Sequence, residues 1–143
     1  MQHERDAAVM AELGWVRGQA DDNFAGLVGP LWSRQADDER QFAFVVEDKH
    51  LNVNDRAHGA ALMWLLDKSL SQASVAACGN IARIVTVQLD VHFIEGARLG
   101  QMVLSQCKVT RVTRSMVFTT GQLTSDGKVL ATASGVWKYR RAA

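Results

Sequence analysis

The feature that most limits what this chain can fold into is the uninterrupted segment Gly59 to Cys78, GAALMWLLDKSLSQASVAAC. Residues 60–66 are all apolar, and Ser69, Ser71, Ala73, Ser74 and Ala76 continue the segment with small side chains. Ala and Leu favour helix, no Pro interrupts, and Gly79-Asn80 supplies a stop. At about 1.5 Å per residue such a helix spans roughly 30 Å, enough to cross a small domain. Leu62 through Leu66 cover its whole circumference, which predicts a buried helix. Asp67 is the exception. A carboxylate in such surroundings is costly unless it is paired, hydrogen-bonded or neutralised. Lys68, Ser71 or solvent would satisfy it in a structural role; otherwise it has chemical work.

The rest of the chain reads as strands around that helix. In Arg83–Phe93, Val85, Val87, Leu89, Val91 and Phe93 alternate with Thr86, Gln88, Asp90 and His92, so one face is expected in the core. Met102–Thr113 and Ser115–Thr124 are the next strands, and Asp126-Gly127 turns the chain into Val129–Tyr139. These four strands, joined by short connections, are expected as successive antiparallel neighbours. Ahead of the helix, Leu31–Arg34 and Arg40–Val46 are two strands turning at Asp37-Asp38. Residues 5–14 predict a short amphipathic helix with Ala8, Val9 and Leu13 near one face, and Phe24–Val28 a further helical turn. The sum is one α+β domain over 1–143, with a helical segment over about 1–29.

With 143 residues and 48% hydrophobic content, the chain is expected to be a soluble globular protein. A net charge of +1 argues against nucleic-acid binding through a broad basic surface. Cys78 and Cys107 suit small core residues in a reducing compartment, and no ligand spacing predicts a metal site. The first residues lack a continuous apolar signal core, and 60–66 is too short to span a bilayer, so a cytoplasmic location is expected.

Asn52, then His58-Gly59, then Asp67, followed by the long antiparallel run, resembles the hotdog-fold acyl-CoA thioesterases of the phenylacetyl-CoA thioesterase type. The resemblance extends from Gly29-Pro30-Leu31-Trp32 to Trp137. It implies an antiparallel sheet wrapped around one central helix, and two composite sites per homodimer, with a dimer of dimers left open. Thr86 falls where many members carry Ser or Thr. Ala60 replaces a usual second Gly, a mild change in a helix, and Asp55 stands where Gly is frequent.

The same residues suit the chemistry on physical grounds. A thioester carbonyl needs a donor where negative charge develops, and the first turn of a helix offers free N–H groups and the positive end of the dipole. Gly59 lets an acyl group approach closely, having no Cβ. Asp67 is the candidate base or nucleophile. His58 would hydrogen-bond the thioester region or hold the loop, or act only as a polar helix start. Asn52 would orient water or the loop, or be an ordinary turn residue. Thr86 would position water beside Asp67, or be an ordinary strand residue. His50, His92 and Asp90 read as surface or sheet-face residues.

From His58 to Asp67 a helix turns about 900° and rises about 13.5 Å, so the two lie on opposite faces. One chain cannot bring both to one carbonyl, whereas a two-fold dimer can. Lys108, Arg111 and Arg114, near one strand turn, are candidates for the coenzyme A phosphates. Coenzyme A enters as part of the substrate, and no further cofactor is expected. The expected reaction is acyl-CoA hydrolysis. The alternatives are an acyl-thioester hydratase or dehydratase, or a non-catalytic acyl-CoA sensor.

Overall fold

The computed structural model describes residues 2–19 and 22–143. In chain order the elements are α1 (Gln2–Glu12), β1 (Val16–Arg17), α2 (Phe24–Val28), β2 (Trp32–Ala36), β3 (Glu39–Val45), α3 (Gly59–Cys78), β4 (Ile81–Phe93), β5 (Met102–Val112), β6 (Met116–Ser125) and β7 (Lys128–Arg141). A 3-10 turn at Asp48–His50 follows β3. All strands join one antiparallel sheet in the order β1-β2-β3-β5-β6-β7-β4. With the single long α3 packed across it, this is the hotdog architecture.

That order corrects the expected run of four successive neighbours. β5, β6 and β7 do follow one another, but β4 pairs with β7, and β5 lies beside β3. The eight residues between β4 and β5 carry the chain past β7 and β6, so a short connection in sequence is not a hairpin here.

α3 is seated by its own small residues and by a sheet glycine. Ser69 and Ser74 are fully buried, and their hydroxyls donate back to Leu65 O at 2.6 Å and Leu70 O at 2.8 Å. A Cβ on Gly121 would come within 2.9 Å of Leu70 Cδ2, so the bare glycine lets the helix settle onto β6. Leu65, Leu66 and Leu70 are wholly buried with Phe44, Val103, Val117, Leu123 and Trp137. Each such side chain contributes about 1.5–3 kcal/mol through burial.

The helix is not covered all round. Ala60 is exposed and Met63 is 39% exposed. The apolar residues of β4 enter the core only in part: Leu89 and Val91 pack against it, while Val85, Val87 and Phe93 are 43%, 56% and 52% exposed. A bulge between Thr86 and Gln88 interrupts the strict alternation, so Val85 does not share the face of Leu89 and Val91.

β3 is buried on both faces: Phe42 and Phe44 face α3, while Ala43 and Val45 join a smaller cluster with Met10, Trp15 and Trp32. The anchors of the N-terminal segment are therefore Met10 and Trp15. Ala8 is exposed, and Val9 and Leu13 are each 55% exposed, contrary to the face expected from spacing.

Candidate active site

The loop before α3 is built by Asn52. Its Oδ1 accepts the N–H groups of Asn54 at 2.9 Å and Arg56 at 3.3 Å, and its own N–H donates to Arg56 O at 2.7 Å. Asp55, at φ 53°, takes the left-handed conformation that makes glycine a natural alternative there. Asn52 thus orders the loop that leads into α3.

His58 is the N-cap of α3. Its Nδ1 accepts the Ala60 N–H at 3.1 Å, and its carbonyl accepts from Ala61 and Leu62. Its own N–H donates to His50 O at 2.6 Å. Among the described residues the Gly59 N–H has no partner, so it remains an open donor at the positive end of a long helix. Gly59 opens into a cleft of about 390 Å³ with Asn52, Leu62 and Phe93, and the Phe93 ring lies 3.3 Å from where a Cβ on Gly59 would stand.

Asp67 sits about two turns further along. Because His58 is the N-cap, outside the helix, Asp67 does not stand opposite the helix start: it lies about 80° round from Gly59 and about 12 Å along the axis, on the side that Ala60 shares. It is half-buried, and its Oδ1 accepts the Thr86 hydroxyl at 2.7 Å. Neither expected structural partner holds it: Ser71 donates to Lys68 O at 3.0 Å, and no ion pair joins Asp67 to Lys68 among the described residues. Asp67 lines a cleft of about 690 Å³ with Phe24, Ala25, Met63, Trp64 and Leu89. α2 forms one wall, capped by Asn23, whose Oδ1 accepts the Gly26 N–H at 3.3 Å.

Two half-sites result. Asn52 and Gly59 line one cleft, with His58 capping the helix beside them, and Asp67 lines the other, with Thr86 bonded to it. Both border β4, at Phe93 and Leu89 respectively. Lys108, Arg111 and Arg114 are exposed on β5 and the turn after it, with β6 and β7 between β5 and β4. Lys108 lines a separate cleft of about 630 Å³ with Gln72 and Cys107. Within one chain these cations stand apart from Asp67.

His50 corrects the sequence reading. It is 3% exposed, not a surface residue. Its Nδ1 accepts the Glu47 N–H at 2.9 Å, and its Nε2–H donates to Val28 O. Phe44 packs edge-on at 5.0 Å between centroids. Burial lowers its pKa from the usual histidine value, opposed in part by the bond to Val28. His50 thereby ties the end of α2 to the residue that caps α3. Nothing periodic marks it in the sequence; only its place two residues before Asn52 hinted at it. Asp90 and His92 are exposed, as expected, and Gln88 Nε2 donates to Asp90 Oδ2 at 2.7 Å.

Among the described residues no helix is long and apolar enough to cross a membrane. Cys78 and Cys107 are free thiols, the first buried and the second half-buried.

Comparison with known proteins agrees with this architecture. The sequence model of the thioesterase superfamily matches residues 54–132, over half the chain. A Pseudomonas aeruginosa protein named as a candidate esterase is 34% identical over 113 residues, spanning 78% of this chain and 84% of that protein. Three solved structures share the fold. A Ralstonia eutropha protein described as a candidate thioesterase related to phenylacetic acid degradation superposes with TM-score 0.65 at 24% identity, covering 92% of this chain and 89% of that one. A Haemophilus influenzae thioesterase gives TM-score 0.76 at 10% identity, with 85% of each chain covered. A Streptococcus pneumoniae hypothetical thioesterase, solved with coenzyme A, gives 0.65 at 16% identity, with 90% of each covered. Taken with the helix-borne carboxylate and the open N–H at the helix start, the matches make this chain a member of the thioesterase superfamily, a thioester hydrolase on the hotdog fold.

Proposed function

We propose that the protein hydrolyses acyl-CoA thioesters to the free acid and coenzyme A, at sites completed by a second copy of the chain. The observation that carries this reading is that the two half-sites flank one unpaired strand edge. Among the described residues β4 bonds only to β7, leaving its other edge open along 13 residues. A long edge with exposed apolar side chains is an invitation to pair with another strand. A second β4 antiparallel to the first, about a two-fold axis between Leu89 and Asp90, sets Thr86 opposite the partner's Phe93. Asp67 is held by Thr86, and Gly59 stands against Phe93. The pairing therefore carries Asp67 of one copy to Gly59 of the other, and symmetry repeats this at a second site.

In such a site the Gly59 N–H donates to the thioester oxygen as charge grows on it. Thr86 occupies Oδ1 of Asp67, leaving Oδ2 to take a proton from water. The water oxygen adds to the carbonyl carbon, the tetrahedral intermediate collapses, and the C–S bond breaks. The thiolate of coenzyme A leaves and is protonated. As a nucleophile, Asp67 would instead form an anhydride that water then opens. Single turnover in ¹⁸O-water separates the routes, since only the anhydride route can leave label in the carboxylate. His58 and Asn52 hold the donor in place, and Lys108, Arg111 and Arg114 are proposed for the coenzyme A phosphates. The Streptococcus pneumoniae neighbour solved with coenzyme A supports a CoA thioester.

The test is thiol release over a panel of acyl-CoAs, with Asp67→Asn beside the unaltered protein. Turnover is expected to fall by about 10²-fold or more, with substrate binding largely kept. Near-unaltered turnover in Asp67→Asn would remove the catalytic assignment.

A further inference from the structure

We infer that a second cleft, walled off from the Asp67 cleft by α2 and Trp64, binds an anionic group carried by the substrate. The inference rests on the proposed thioester hydrolysis for the identity of that substrate, not for the existence of the site. The cleft holds about 360 Å³ and shares Ala25, Trp64 and Lys68 with the Asp67 cleft. Three cations line it, Arg17 from β1, Lys49 from the 3-10 turn and Lys68 from α3, and no carboxylate is among its described lining residues. Among the described residues Lys49 pairs with one carboxylate, Glu47, at 3.5 Å, and keeps 41% of its side chain exposed.

Three separate parts of the chain converge to make this arrangement. Arg17 is fixed by its register against Trp32, and the next residue, Gly18, donates its N–H to Leu31 O at 2.7 Å. Lys49 is placed by the turn that His50 locks to the end of α2. Lys68 follows the candidate catalytic carboxylate directly. Like charges gathered around one cleft repel, and an anion between them removes that cost. Leu31, Pro30, Ala25 and Trp64 supply apolar walls, with Gln19 beside them. Apolar walls with cations around them suit a ligand with an apolar shaft and a negative end, and Arg17 suits an oxyanion in particular. Two parts of an acyl-CoA have that chemistry: an acyl chain ending in a carboxylate, and the phosphates of the coenzyme A moiety. The site is distinct from Lys108, Arg111 and Arg114 on β5.

The experiment compares kcat/KM for hexanoyl-CoA, adipoyl-CoA and the matching pantetheine thioesters, in the unaltered protein and in Arg17→Gln/Lys49→Gln. Ratios between substrates cancel any general loss of activity. If the anion is a chain-end carboxylate, the adipoyl-to-hexanoyl ratio falls by about tenfold or more in the variant, for CoA and pantetheine thioesters alike. If it is a phosphate, the CoA-to-pantetheine ratio falls instead, for both chains. If neither ratio moves, the inference is overturned. Should the unaltered protein hydrolyse no thioester, the proposed function fails, and calorimetry with adipate and with adenosine 3′,5′-bisphosphate decides the site alone. Weakening of either ligand by about tenfold in the variant supports the site, and no binding or equal binding refutes it.

Discussion

The proposed sharing of each site between two copies makes a quantitative demand on mixed dimers. Gly59→Val disables the donor half: the new side chain stands where the carbonyl must approach, and its Cβ meets the Phe93 ring at 3.3 Å, a contact that a small ring shift relieves. Asp67→Asn disables the base half while keeping the hydrogen-bond reach toward Thr86. The two positions are eight residues apart on α3, about 12 Å along its axis and about 80° apart around it, so neither substitution reaches the other's half-site in the same chain. Each variant alone therefore forms dimers with two dead sites. Mixed in equal amounts and allowed to exchange, random pairing makes half of the dimers mixed. Each mixed dimer has one site with both substitutions and one with neither. Recovered activity should approach about a quarter of the unaltered value. The assay is thiol release after co-incubation, with exchange verified by mass on a tagged chain. Full exchange without recovered activity would mean that each chain builds its own site, and the β4 pairing argument would fall with it.

Thr86→Val removes the hydroxyl that holds Asp67 Oδ1 at 2.7 Å. A charge-assisted bond of this kind supports about a tenfold loss in kcat, with Thr86→Ser restoring most of it, and equal rates for all three would leave Thr86 a plain strand residue. Because the folded pKa of His50 lies below its unfolded value, the unfolded state binds the proton first as pH falls. Its contribution is whole above about pH 6.5 and is lost as pH falls from there toward the folded pKa. Denaturant midpoints should therefore drop between pH 7.5 and 5.5 more steeply in the unaltered protein than in His50→Gln; parallel curves would exclude the linkage. Gly121→Ala puts a Cβ within 2.9 Å of Leu70 Cδ2 and 3.0 Å of Gln106 O, so it should cost about 1–3 kcal/mol by denaturant unfolding. An unshifted midpoint would show that α3 has room to rise off the sheet.

Local chemistry made much of this protein legible from its residues. α3 begins and ends where His58-Gly59 and Gly79-Asn80 place its limits, because caps and stops act within a turn or two. Asp126-Gly127 turns β6 into β7 with both residues at positive φ, as that pair of side chains allows. The spacing of Asn52, His58, Gly59 and Asp67 announced the family, and the rise of the helix separated Gly59 from Asp67 before any coordinates did. The opposite-face placement reckoned from His58 does not hold, because His58 is the N-cap.

The tertiary structure decided what lies beyond the reach of a local pattern. Alternation in β4 marks it as a strand, but does not reveal the bulge between Thr86 and Gln88 that moves Val85 to the other face from Leu89, nor which strand lies beside it. β4 ends up next to β7, at an edge, with Val85, Val87 and Phe93 outside the core. His50 looks like a loop histidine until Val28, 22 residues earlier, is folded back to accept its Nε2–H. Arg17, Lys49 and Lys68 are three unremarkable surface cations in the sequence and one cleft in the fold. Helix caps, turns and periodicity depend on neighbours a few residues away, so the sequence determines them. Pairing, burial and the gathering of charge depend on contacts between distant segments, and those exist only once the sheet has closed around the helix.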